Sequence, residues 1–131
     1  MRAHKLLLSV AAAGAMIVGT AAPAAAGENA RVRTTDANPG GEAYWIANGD
    51  TLKVCDIQHD GWGAYAEARH FIDRRTGLFE LTWADDGGDA GCDTKKFSQK
   101  ERNDVDIRVC LERPSKGQTF RFCSRWKDAE A

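Results

Sequence analysis

Three groups of residues carry side chains of the kinds that do chemistry. Asp56, His59 and Asp60 put an imidazole between two carboxylates within one short stretch. An imidazole steadied by a carboxylate can act as a general base, and a small secreted hydrolase is the activity such a trio would support. No serine or thiol nucleophile stands beside it, because Cys55 is expected in a disulfide. Asp60-Gly61 is also what a tight turn requires, so no catalytic residue is assigned. Asp85, Asp86, Asp89 and Asp93 form the second group, four carboxylates in a glycine-rich segment. Calcium takes oxygen ligands of this kind, but the spacing matches neither an EF-hand loop nor a glycine-rich calcium repeat. The segment reads as a solvated acidic loop, with no metal and no cofactor expected. Trp62, in Asp60-Gly61-Trp62-Gly63, is the third. A tryptophan in a turn either stands out as a platform for a partner or folds back to cap the end of the domain. Trp62, His59 and Asp60 are therefore the candidate binding residues.

The remaining reactive side chains are four cysteines, Cys55, Cys92, Cys110 and Cys123. Their spacings lack the paired short gaps of a zinc site. An even number in a small chain with an export leader implies disulfides. The leader is tripartite: basic Arg2, His4 and Lys5, an apolar run from Leu6 to Val18, and small residues ending in Ala24-Ala25-Ala26. It reads as a signal peptide over residues 1–26, too short in its apolar part for a membrane span. Removing Arg2 and Lys5 from the 18 basic residues leaves 16 against 19 acidic ones, a net charge of −3. That balance gives no basic footprint for nucleic acid. The expected product is a secreted, extracellular monomer with one small domain.

Alternation then defines the elements that must position these groups. Val105, Ile107, Val109 and Leu111 share one face of a strand, and Asp106, Arg108, Cys110 and Glu112 the other. Phe120, Phe122 and Trp126 share a face in the run that follows, across a turn at Pro114, Ser115 and Gly117. Setting Cys110 opposite Cys123 puts Leu111 against Phe122 and Ile107 against Trp126, all inward, with Glu112 facing Arg121, Asp106 facing Lys127 and Arg108 facing Arg125. Cys110–Cys123 follows from this register, and Cys55–Cys92 remains. Asn48-Gly49 between two alternating runs predicts a second hairpin, with Ala43 against Val54 and Trp45 against Leu52. Residues 27–41 form an arm with one short edge strand near Arg31–Thr35, and 42–131 the domain. Gly63–Arg75 has helix-favouring alanines but reads as a strand between strands. Leu78–Trp83 follows, with Phe79, Leu81 and Trp83 inward, and Thr94–Phe97 adds a short strand. Seven or eight short strands with regular turns predict an all-β fold, an antiparallel β-sandwich of immunoglobulin-like type.

Several short stretches resemble a group of small exported actinobacterial proteins. They are Asp36-Ala-Asn-Pro-Gly-Gly, Asn48-Gly-Asp, Val54-Cys-Asp, Asp60-Gly, Gly91-Cys, Val109-Cys-Leu and Phe122-Cys-Ser. The resemblance runs from about residue 36 to 126. It implies an exported β-sandwich with paired cysteines, and carries no catalytic residue across. The expected function is non-enzymatic: binding of an extracellular protein or glycan through the loops. The alternatives are the hydrolase on Asp56, His59 and Asp60, or an inhibitor of an extracellular enzyme presenting Arg113–Gln118.

Overall fold

The computed structural model describes residues 27–85, 91–97, 103–113 and 119–131. The leader at 1–26, Asp86, Asp89, the connection at 98–102 and the turn at 114–118 lie outside the described residues. Those described form strands and connections, all-β, in two antiparallel sheets. The strands are β1 (Ala30–Arg33), β2 (Gly41–Ile46), β3 (Thr51–Asp56), β4 (Gly63–Asp73), β5 (Leu78–Asp85), β6 (Gly91–Lys96), β7 (Asp104–Arg113), β8 (Thr119–Arg121) and β9 (Lys127–Glu130). One sheet runs β1-β2-β3-β6; the other runs β5-β4-β7-β8, with β9 also on β7.

The hairpin around Asn48-Gly49 has the expected register, Ala43 opposite Val54 and Trp45 opposite Leu52. Its turn uses the left-handed region at Gly49 (φ 97°) and Asp50 (φ 43°), which a glycine enters without steric cost. Trp45, Leu52 and Val54 are buried against Val105, Ile107 and Val109 from the other sheet. The Trp45 indole N–H donates to the Glu130 carbonyl at 3.2 Å, so this large side chain enters the core with its one donor satisfied.

Gly63–Asp73 is a strand, β4, paired on both sides. The alanines that favour a helix in isolation here serve packing. Ala64, Ala66 and Ala68 are fully buried on the inner face, and Tyr65, Glu67, Arg69 and Phe71 alternate outward. Tertiary pairing overrides propensity.

Two expectations about faces are corrected. Phe79, Leu81 and Trp83 do not point inward; they are 43%, 49% and 52% exposed. The register sets Ala84 against Ala66 and Glu80 against His70, while Trp83 lies opposite Glu67 and Phe79 opposite Phe71. The inner layer beneath β4 and β5 is thin, because Trp45 and Phe97 reach across from the other sheet, stack on one another and meet His70 edge-on and tilted. Three large side chains from β5 would overfill that space.

The second correction concerns the Cys110 hairpin. Leu111 lies opposite Arg121 and Glu112 opposite Phe120, one step from the expected register. Further along, Asp106 lies opposite Asp128 and Ile107 opposite Lys127, a step the other way. The run breaks at Phe122, which takes a left-handed φ of 52°. Ser124 fills the gap: its N–H donates to the Val109 carbonyl at 2.8 Å, and its hydroxyl accepts from the Val109 N–H at 3.0 Å. Phe120 and Phe122 are consequently exposed, and Trp126 packs among charges instead of in the core. Arg108 pairs with Glu67, directly opposite on β4, and Arg125 lies between β8 and β9, outside the ladder. The disulfides are Cys55–Cys92, between opposed residues of β3 and β6, and Cys110–Cys123, between β7 and the segment after β8.

Candidate functional site

The two sheets present different outer faces. On the four-stranded sheet, Glu42 is buried among Arg31, Arg33 and Tyr44. Arg31 and Arg33 reach its carboxylate at 2.8 and 2.6 Å, and the Tyr44 hydroxyl donates to its other oxygen. Burial pushes the Glu42 carboxyl up, but the Tyr44 hydroxyl and the two arginines outweigh burial and hold it below the usual carboxylate range. The Tyr44 hydroxyl is correspondingly raised, first by donating to Glu42. The charges here satisfy one another around the Tyr44 ring, which Arg31 and Lys53 overlie.

On the five-stranded sheet, alternation turns Tyr65, Phe71, Phe79, Leu81, Trp83 and Phe120 outward. Trp83 stacks on Tyr65 with centroids 6.2 Å apart, and Tyr65 meets Phe120 at 4.7 Å, so a row of rings crosses the sheet. Phe71 and Phe79 form a second pair at 5.9 Å. Beside them lies an ionic ladder. Asp106, buried, accepts from Arg69 at 2.9 Å and Arg74 at 3.0 Å, and Arg74 also reaches Asp104 at 2.7 Å. Arg69 and Arg108 both lie against Trp126, with guanidiniums 3.8 and 4.7 Å from its ring centre.

Trp62 lies at one end of the domain. The Asp60 carboxylate accepts from the Trp62 N–H at 3.0 Å and Gly61 takes a φ of 80°, so the loop after β3 bends the indole back. It rests, half-buried, against Arg113 and Arg121, whose guanidiniums are 4.8 and 5.7 Å from its ring centre. These residues and Thr119 line an open cavity of about 250 Å³.

Of the other sequence candidates, Asp60 alone touches Trp62, through the backbone N–H. The Asp56 carboxylate accepts from the Gln58 N–H at 3.0 Å, and that of Asp60 is committed to Trp62, so both act as loop caps. His59 is exposed. Of the acidic group, Asp93 caps the Thr94 N–H at 2.8 Å on β6, Asp85 ends β5, and Asp86 and Asp89 lie outside the described residues. Among the described residues no three His, Cys, Asp or Glu side chains cluster for a metal. None of these residues form a helix long and apolar enough to cross a membrane.

Sequence reasoning missed Arg113 and Arg121 as partners of Trp62; the available signal was an arginine on each flank of one turn. It also missed His70, which is 2% exposed between Trp45 and Phe97. Burial lowers its imidazole below the ordinary histidine value. The class defined by fold and site is an all-β protein of two antiparallel sheets, closed by two disulfides and displaying an aromatic sheet face. No protein-family model, curated protein or solved structure matches the chain.

Proposed function

We propose that this is an exported, non-enzymatic binding protein that docks an extracellular protein partner on the outer face of its five-stranded sheet. The observation that carries this reading is the exposure of Phe79, Leu81 and Trp83 along β5, joined by Phe120. Soluble monomers rarely leave a contiguous apolar patch of that kind uncovered without a use for it, and interface centres are enriched in such aromatic residues with arginine nearby. Arg69, Arg74 and Arg108 are already held by Asp104, Asp106 and Glu67, which gives the patch a polar rim with little ordering left to do on binding. Two disulfides fit an oxidising, extracellular setting. An immunoglobulin-like sandwich and kinship with small exported actinobacterial proteins belong to the same reading.

The test is affinity capture from culture medium and cell envelope with the secreted protein. Three baits are compared: the unaltered chain, Leu81→Asp on the aromatic face, and Tyr44→Ser on the opposite face. The expected outcome is a partner retained by the unaltered and Tyr44→Ser baits and lost with Leu81→Asp, with melting curves showing all three folded at the capture temperature. Retention by Leu81→Asp removes the aromatic face as the binding surface.

A further inference from the structure

We propose, independently of the aromatic face, that the cavity between Trp62, Arg113 and Arg121 binds a tetrahedral oxyanion, the phosphate or sulfate group of a small extracellular ligand.

The strands build the cavity from one side. Arg113 lies opposite Thr119 and Arg121 opposite Leu111. Directly opposed residues share a face and residues two apart along a strand do too, so Leu111, Arg113, Thr119 and Arg121 project from one side of the β7–β8 pair. Leu111 is the last of this row in the core, at 4% exposure. Arg113 and Arg121 therefore continue the inward face past the point where the opposite sheet covers it. Trp62 arrives from the β3–β4 loop and takes the place of the missing sheet.

The indole gives both guanidiniums a face to lie against, within the range at which a ring quadrupole attracts a cation. This holds two flexible side chains in place and leaves their in-plane N–H groups to donate. Among the described residues the ion pairs are those of Arg31, Arg33, Arg69, Arg74, Arg75 and Arg108. Among the described residues, Arg113 and Arg121 are the pair of arginines around one ring that lacks an ion-paired carboxylate. At the other rings where two basic side chains gather among the described residues, Tyr44, Phe71 and Trp126, acidic side chains neutralise at least one of them. Two like charges held beside one indole repel, and a doubly charged anion between them relieves that repulsion.

A tetrahedral oxyanion suits this geometry, because planar guanidinium forks donate pairs of hydrogen bonds to phosphate-type oxygens. A phosphate monoester carries about −1.5 to −2 charge at neutral pH, which balances two arginines. The cavity volume of about 250 Å³ exceeds a bare anion and leaves room for the first ring or chain segment attached to it. Its open mouth lets the remainder of a ligand extend into solvent.

Titration calorimetry on the secreted protein at low salt, with glucose 6-phosphate, inorganic phosphate and glucose as probes, tests the proposal. Glucose 6-phosphate should bind and glucose should not. Arg113→Gln and Arg121→Gln should each weaken binding roughly tenfold or more, the expected loss for a hydrogen bond to a charged group. Trp62→Leu should also weaken it, with both arginines still present, because they lose their platform. Melting curves confirm that each variant is folded. Tighter binding of the ester than of inorganic phosphate identifies an esterified ligand, and equal binding identifies the free anion; both support the site. Glucose 6-phosphate binding no better than glucose, or unchanged affinity in the folded Arg113→Gln/Arg121→Gln double variant, overturns it.

Discussion

The outer faces of the two sheets start from similar materials and end differently. Each carries arginines, a carboxylate buried beneath them and at least one aromatic ring. On the four-stranded sheet, Glu42 collects Arg31, Arg33 and Tyr44, and the face is a closed set of charges around one ring. On the five-stranded sheet, Asp106 collects Arg69 and Arg74 at one side, and a row of rings remains uncovered at the other. The difference lies in β5. Its partner strand β4 turns alanines and His70 inward, and Trp45 and Phe97 from the opposite sheet fill the space beside them, so the large apolar side chains of β5 face solvent. Satisfied charges make a solvated face, whereas exposed rings that bury nothing inside the chain are available to a partner.

The largest expected effect separates rings that hold the fold from rings that do not. Trp45→Ala empties a position 1% exposed, and should cost about 3–5 kcal/mol, a large share of the stability typical of a small domain. Trp83→Ala removes a ring about half exposed and should cost under ~1 kcal/mol, in the range of surface substitutions or a single ring pair. Chemical denaturation of both variants measures the contrast. Comparable losses would mean that the aromatic row is structural and would erase the difference between the faces.

A smaller effect probes Glu42. Its folded-state carboxyl is held below the ordinary glutamate value of 4.5. The folded protein therefore binds fewer protons than the unfolded chain, and this group adds stability above that value. The contribution is lost as pH falls through the folded value. Glu42→Gln should flatten the acid limb of the melting-temperature profile below about pH 4.5 and lower stability at neutral pH. An unchanged acid limb would show that the Arg31–Glu42–Arg33 cluster contributes nothing to acid sensitivity.

The smallest effect is expected at Asp128 on the other sheet, whose carboxyl is raised by its hydrogen bond to Asp106. The sign is opposite: the folded protein holds the proton more firmly, so this pair stabilises at acid pH and loses that benefit as pH rises. Asp128→Asn should raise the neutral-pH melting temperature slightly. A decrease would mean that Asp128 is held by its basic neighbours more than it is repelled by Asp106.

The β2–β3 hairpin shows how much of the fold was legible. Asn48-Gly49 and strict alternation specify its turn, register and buried face together, and Trp45, Leu52 and Val54 occupy the places they imply. The same reasoning placed the cysteines correctly in β7 and its partner run, yet missed the register on either side of Phe122. A left-handed residue and a hydroxyl standing in for a ladder acceptor leave no mark on the alternation of apolar residues. At the candidate site, the isolated Trp62 was visible as a turn residue, but its arginine partners were not, being 51 and 59 residues away in the chain.

The chain by itself determined that this protein is built of antiparallel strands, that its cysteines pair as Cys55–Cys92 and Cys110–Cys123, and that Trp45 belongs in the core. Those properties follow from periodicity, turn chemistry and cysteine count, all of which are local or nearly so. Only the tertiary structure decided which side of β5 faces solvent, where Trp62 comes to rest and that His70 lies between Trp45 and Phe97. An alternating strand specifies two faces without saying which is inner. That choice depends on the volume already filled by the opposite sheet, and the space beneath β4 and β5 was taken by side chains from β2 and the end of β6.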